Sequence, residues 1–190
     1  IVEGNYAGNS SKDIQAIDFR LVQDDNVVVK YPQIYYRGHI ADIGWLEYVS
    51  DSLTAGQPGS GVALQALNIG FDNSEEDYKL SGSAYVEDLG WQDYKRIDSN
   101  TTFGTTGQDR AIKAIKLNLE DMPGYSLEYR VYITGRGWQA WTSENEIAGN
   151  TINNIEAVQF KMIYDNSKIE KIVLDKTDIV MAVDENNKIN

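Results

Sequence analysis

One pattern of apolar and polar positions occurs four times in the chain: aliphatic, any, Ala, aliphatic, any, apolar, any, apolar. It reads Ile14-Gln15-Ala16-Ile17-Asp18-Phe19-Arg20-Leu21, Leu64 to Phe71 within the stretch Val62 to Phe71, Ile112 to Leu119 and Ile155 to Met162. The second half alternates with period two, which predicts a strand with one buried face. The phase slips where Ala meets the aliphatic residue. A slip at the same place in every copy points to a β-bulge, or to a small Ala carried on the outer face. Each copy follows a short Gly-containing turn: Ala7-Gly8, Ala55-Gly56, Phe103-Gly104 and Ala148-Gly149.

Ahead of three of these strands lies a second regular feature. Gly-Trp pairs place Trp45, Trp91 and Trp138 at nearly constant spacing, and each is followed three residues on by another aromatic, Tyr48, Tyr94 and Trp141. The runs before them, Ile34 to Asp42, Ser83 to Asp88 and Leu127 to Ile133, are rich in β-branched and aromatic residues and read as strands. The repeat divides the chain into a half unit at 1–22, full units at 31–72, 78–121 and 122–163, and a C-terminal strand or linker segment at 164–190. All of these read as one domain of a larger protein.

Polar or Gly-containing turns recur along each unit, and helical periodicity is absent from the pattern. The expectation is an all-β fold of three tandem pseudo-symmetric repeats, closed about a threefold in the manner of a β-prism, with a β-trefoil as the alternative. In either case Leu67, Ile115 and Val158 point into the core. The sequence favours core packing for Trp45, Trp91 and Trp138, one large ring per unit at the pseudo-axis. Tyr48, Tyr94 and Trp141, three residues on, would face the opposite side of a regular strand. They are therefore the first candidates for ligand contact, with the three Gly-Trp rings as further candidates.

Composition narrows the chemistry. The net charge of −12 disfavours nucleic acid and anionic membrane surfaces as partners. The chain lacks Cys and has one His, His39, which excludes thiol chemistry and makes zinc sites and imidazole triads remote. Tyr85 and Tyr132 stand at the positions equivalent to His39, so that position reads as one accepting any flat ring. Gln57-Pro58-Gly59-Ser60-Gly61 lacks the Lys-Ser/Thr of a phosphate loop and reads as a turn. The acids fall mainly in turns, and no pair recurs in every unit. The run Asp72 to Asp77 lacks the alternation of a calcium loop. No cofactor or catalytic residue is expected, and no apolar run is long enough to insert into a membrane.

These residues resemble the clostridial hydrophobic, or ChW, repeats. The features that carry the resemblance are Ile43-Gly44-Trp45, Tyr48, Ala55-Gly56 and Leu64 to Ile69 in the first unit. In the second they are Leu89-Gly90-Trp91, Tyr94, Gly104 to Gly107 and Ile112 to Leu117. Gly137-Trp138, Trp141, Ala148-Gly149 and Ile155 to Phe160 supply them in the third. Phe103 departs from the pattern by replacing Ala. The resemblance implies a non-catalytic module of an extracellular, secreted or surface-attached Gram-positive bacterial protein. The expected partner is a cell-wall or other glycan. The alternative is an adhesin binding a host protein such as a mucosal glycoprotein or an immunoglobulin.

Overall fold

The computed structural model describes residues 32–72 and 78–164, which lie in one compact unit spanning residues 30–170. The half unit at 1–22, the segment 165–190 and the acidic turn 73–77 fall outside the described residues. The described residues form strands and connecting turns, with no helix among them.

Three long hairpins carry the architecture. They pair β1 (Gln33–Ile40) with β5 (Leu64–Asp72), β6 (Lys79–Val86) with β9 (Ile112–Glu120), and β10 (Tyr125–Ile133) with β14 (Ile155–Tyr164), all antiparallel. The first strand of each alternates as the sequence predicts. Ile34, Tyr36 and Ile40, then Leu80, Ala84 and Val86, then Leu127, Tyr129, Val131 and Ile133 all point inward and are buried. They meet Leu67, Ile115 and Val158, each fully buried, in one apolar core. The expected inward phase of the long second strands is therefore correct.

The expected bulge is present, one residue before the Ala. Register shifts between His39 and Ile40, between Tyr85 and Val86, and between Tyr132 and Ile133. The skipped residues are Gln65, Lys113 and Glu156. In each case the bulge carbonyl accepts an N–H from the residue just after an Ala-Gly-type turn: Thr105 to Gln65, Asn150 to Lys113 and Gln57 to Glu156.

Those turns are strands in their own right. Ala55–Gly56 (β4) pairs with β14, Phe103–Gly104 (β8) with β5, and Ala148–Gly149 (β13) with β9. Each two-residue strand thus extends the sheet of a different unit, and the first unit is joined to the last. Gly56, Gly104 and Gly149 have φ of +114°, +115° and +99°. A Cβ there would stand 2.2–2.4 Å from the bulge carbonyl oxygen of Glu156, Gln65 or Lys113. Only glycine fits, because both the dihedral and the space exclude a side chain.

Four short strands and one longer one complete the sheets: β2 (Gly44–Trp45), β3 (Val49–Ser50), the longer β7 (Gly90–Tyr94), then β11 (Gly137–Trp138) and β12 (Thr142–Ser143) as the third-unit counterparts of β2 and β3. The result is three antiparallel sheets, two of five strands and one of four, none closed into a barrel. Sheet A is built on β1/β5, sheet B on β10/β14 and sheet C on β6/β9.

Candidate functional site

The glycine of each Gly-Trp pair explains where its Trp goes. Gly44, Gly90 and Gly137 have φ of +91°, +73° and +83°, the left-handed conformation that reverses a tight hairpin. The reversal lays the next residue back across the long strand. Trp45 pairs with His39, Trp91 with Tyr85 and Trp138 with Tyr132. The ring contacts match, edge to face at 5.2, 5.5 and 5.6 Å. His39 thus occupies a flat-ring position, as its replacement by Tyr in the other units implies.

This geometry overturns the core reading of the Gly-Trp rings. His39, Tyr85 and Tyr132 lie on the outer faces of their sheets, so the Trp rings paired with them lie there too. Trp45 and Trp138 are partly buried and Trp91 is 39% exposed. The interior is filled instead by Tyr36, Tyr129, Phe103 and Phe160.

In the first and third units the second aromatic does not lie opposite the Gly-Trp ring. Between Trp45 and Val49, and again between Trp138 and Thr142, the chain leaves the strand before pairing resumes. That excursion swings Tyr48 and Trp141 onto the same face as the Gly-Trp rings. Each pair of rings holds an arginine. The Arg37 guanidinium stands 4.8 Å from the Trp45 ring and 4.5 Å from that of Tyr48. Arg130 stands 4.9 Å from Trp138 and 4.7 Å from Trp141, and Lys161 Nζ also covers Trp141 at 4.3 Å. Each arginine is further fixed by a cross-strand amide: Arg37 Nε donates to Asn68 Oδ1 at 2.9 Å, and Arg130 Nε to Gln159 Oε1 at 2.7 Å.

Sheet C is built differently. Ser83 stands where the other sheets have Arg37 and Arg130, and Lys116 where they have Asn68 and Gln159. Strand β7 runs unbroken from Gly90 to Tyr94, so Tyr94 turns inward rather than onto the aromatic face. Its ring packs on Phe103 at 4.8 Å, and its hydroxyl accepts from Gly104 N at 3.0 Å. Tyr94 is therefore a structural residue, while Tyr48 and Trp141 join Trp45 and Trp138 in surface clusters.

No arginine stands over Trp91, and on the same sheet lies a shallow groove of about 460 Å³ lined by Ser83, Asp93, Lys95, Lys116 and Asn118 among others. Ser83 Oγ donates to Asp93 Oδ1 at 2.6 Å. Nearby charges are already paired. Lys79 bridges Glu120 at 2.9 Å, and Lys113 bridges Glu87 at 2.7 Å, which together with their charges holds both carboxyls below their ordinary range. Among the described residues no group of three or more His, Asp or Glu could hold a metal ion. No helix of the described residues is long and apolar enough to cross a membrane.

Sequence reasoning named the five aromatics that lie on the outer faces, placed Tyr94 with them although it turns inward, and missed Arg37 and Arg130. The signal was available as Tyr36-Arg37 and Tyr129-Arg130, one dipeptide repeated at equivalent places.

A helix-free core bearing an aromatic cluster on the outer face of each sheet defines an all-β repeat module. Residues 39–73 and 85–121 match the model of the ChW family, clostridial hydrophobic W. These two segments are similar to ChW repeats, as the Gly-Trp motifs implied. No curated protein and no solved structure matches the chain significantly.

Proposed function

We infer that the chain is a non-catalytic binding module of a secreted or wall-attached bacterial protein, and that it binds cell-wall or other glycan through its outer sheet faces. The three sheets are three copies of one repeat arranged about a pseudo-threefold, in the manner of a β-prism. The equivalent pairings of β4, β8 and β13 support that arrangement, since each unit lends its short strand to a different one.

One observation carries the functional reading: the largest rings of the repeat, Trp45, Trp91 and Trp138, are spent on the surface rather than in the core. An indole facing water offers a flat apolar platform with a polar edge, the combination that sugar rings with one C–H face and peripheral hydroxyls require. Trp91, the most exposed of the three, is the most open such platform, while Arg37 and Arg130 stand over Trp45 and Trp138. The net charge of −12 opposes teichoic acid and favours a neutral polymer.

Co-sedimentation of the full chain tests this. Insoluble chitin, cellulose and peptidoglycan sacculi stripped of teichoic acid are the glycan arms; immunoglobulin and mucin peptide coupled to beads are the protein arms. Depletion from the supernatant by at least one glycan is the expected result. Depletion by a protein arm alone would replace this reading with that of a host-protein adhesin, and depletion by none would remove it.

A further inference from the structure

We propose that sheet C alone carries a primary sugar-binding site, in the slot beside Trp91 that an arginine fills on the other two sheets, and that its ligand is a neutral pyranoside chain. The proposal rests on the glycan-binding reading above and adds which face binds and what it accepts.

The argument is a comparison of equivalent positions within one molecule. On sheets A and B the space beside the Gly-Trp ring is occupied by the chain's own Arg37 and Arg130, each also touching a second aromatic ring. Those indole faces are already covered. On sheet C the arginine is Ser83 and the second aromatic is Tyr94, turned inward against Phe103. What remains is an open groove and the most exposed of the three Gly-Trp rings. Trp91 lies outside the groove lining, about 7 Å along the same face of β7 from Asp93, which does line it, so a ligand chain of several rings could reach both. At about 460 Å³ the groove lies within the roughly 300–1,000 Å³ of small-ligand sites.

Charge decides the occupant. Sheets A and B place a neutral amide oxygen, Asn68 or Gln159, against the arginine. Sheet C places the ammonium of Lys116 there, with Lys95 also lining the groove, so a guanidinium from a partner would meet like charge. The lining itself leans positive, and it is the chain's net charge of −12 that disfavours a polyanion. A ligand bearing many hydroxyls and no charge satisfies both signs: Asp93 accepts, Lys116 and Lys95 donate, and Ser83 and Asn118 do either. The exposed indole then stacks on the C–H face of a ring whose substituents are equatorial.

The test labels the full chain with 5-fluorotryptophan, which gives one ¹⁹F signal for each of the four Trp residues. Cellohexaose, chitohexaose and a hexa-arginine peptide are titrated in turn. The proposal expects the Trp91 signal, assigned by Trp91→Phe, to move with at least one sugar while Trp45, Trp138 and Trp141 stay in place. Ser83→Arg, which fills the slot as the other sheets do, should weaken that affinity by about tenfold or more and keep the β circular dichroism. If sugar moves the other Trp signals instead, or Ser83→Arg binds as the parent does, the sheet C site is wrong while glycan binding stands. If only the peptide moves Trp91, the slot takes a cation and the proposal is overturned. If no signal moves with these sugars and the chain sediments with no glycan, both readings fall together.

Discussion

Phe160 donates its backbone N–H to the hydroxyl of Tyr36 at 3.1 Å, joining sheets A and B across 124 residues of sequence. The same hydroxyl donates to Leu53 O. Tyr129 repeats the arrangement between sheets B and C, accepting from Leu117 N at 3.0 Å and donating to Glu146 O. Both rings are fully buried, so each hydroxyl satisfies a backbone N–H, of Phe160 or Leu117, that water does not reach. Tyr36→Phe and Tyr129→Phe should each cost about 1–3 kcal/mol in denaturant unfolding, because an amide is left buried without a partner. Unchanged unfolding midpoints would show that these hydroxyls are not structural.

The same two tyrosines predict weakness in alkali. Burial raises both phenols above the 10 of a free tyrosine, Tyr129 to about 12 and Tyr36 further still. The folded state therefore keeps its protons where the unfolded state has lost them. Stability is intact below pH 10 and falls as pH rises through the window from about 10 to 12, by roughly 1.4 kcal/mol per pH unit for each tyrosine. Urea unfolding at stepped pH measures the slope, and Tyr129→Phe should remove one tyrosine's share of it.

Gly56→Ala should destabilise by more than about 1 kcal/mol, since it adds a left-handed strain to a Cβ placed 2.2 Å from Glu156 O. Gly61→Ala is the matched control: its φ is +77°, yet nothing lies within 4 Å of the added Cβ. The loss at Gly56 should be clearly the larger by thermal denaturation. Equal losses would mean that the Ala-Gly strand does not seat closely on β14.

Arg130 and Trp138 should couple. In a double-mutant cycle with Ala at each position, the interaction term is expected at about 0.5–2 kcal/mol. Arg130→Lys should lose much of it, because an ammonium cannot lie flat between Trp138 and Trp141. Additive single effects would show that the ring contacts contribute nothing to stability.

These features mark the boundary of what the sequence makes legible. Alternation placed Leu67, Ile115 and Val158 inward, and the constant phase slip announced the bulge, because both are consequences of local period. The Ala-Gly strands looked like turns because their partners are remote: Ala55 pairs with Val158, over a hundred residues on. Helical or strand periodicity also fails where the strand itself is interrupted. The excursion at Leu46 to Tyr48 put Tyr48 beside Trp45 rather than behind it, and the unbroken β7 sent Tyr94 inward. The core reading of the Gly-Trp rings failed because an aromatic repeated once per unit looks the same whether it meets its copies at an axis or decorates each face.

The central claim is that the outer aromatic faces hold glycan, and glycan retention of the Trp45→Ala, Trp91→Ala, Trp138→Ala triple variant tests it most directly. The full chain and the variant are sedimented side by side with whichever insoluble glycan depletes the parent, after circular dichroism confirms that the variant keeps its β signal. The account predicts a folded variant that stays in the supernatant. A folded variant that sediments as the parent does would contradict it.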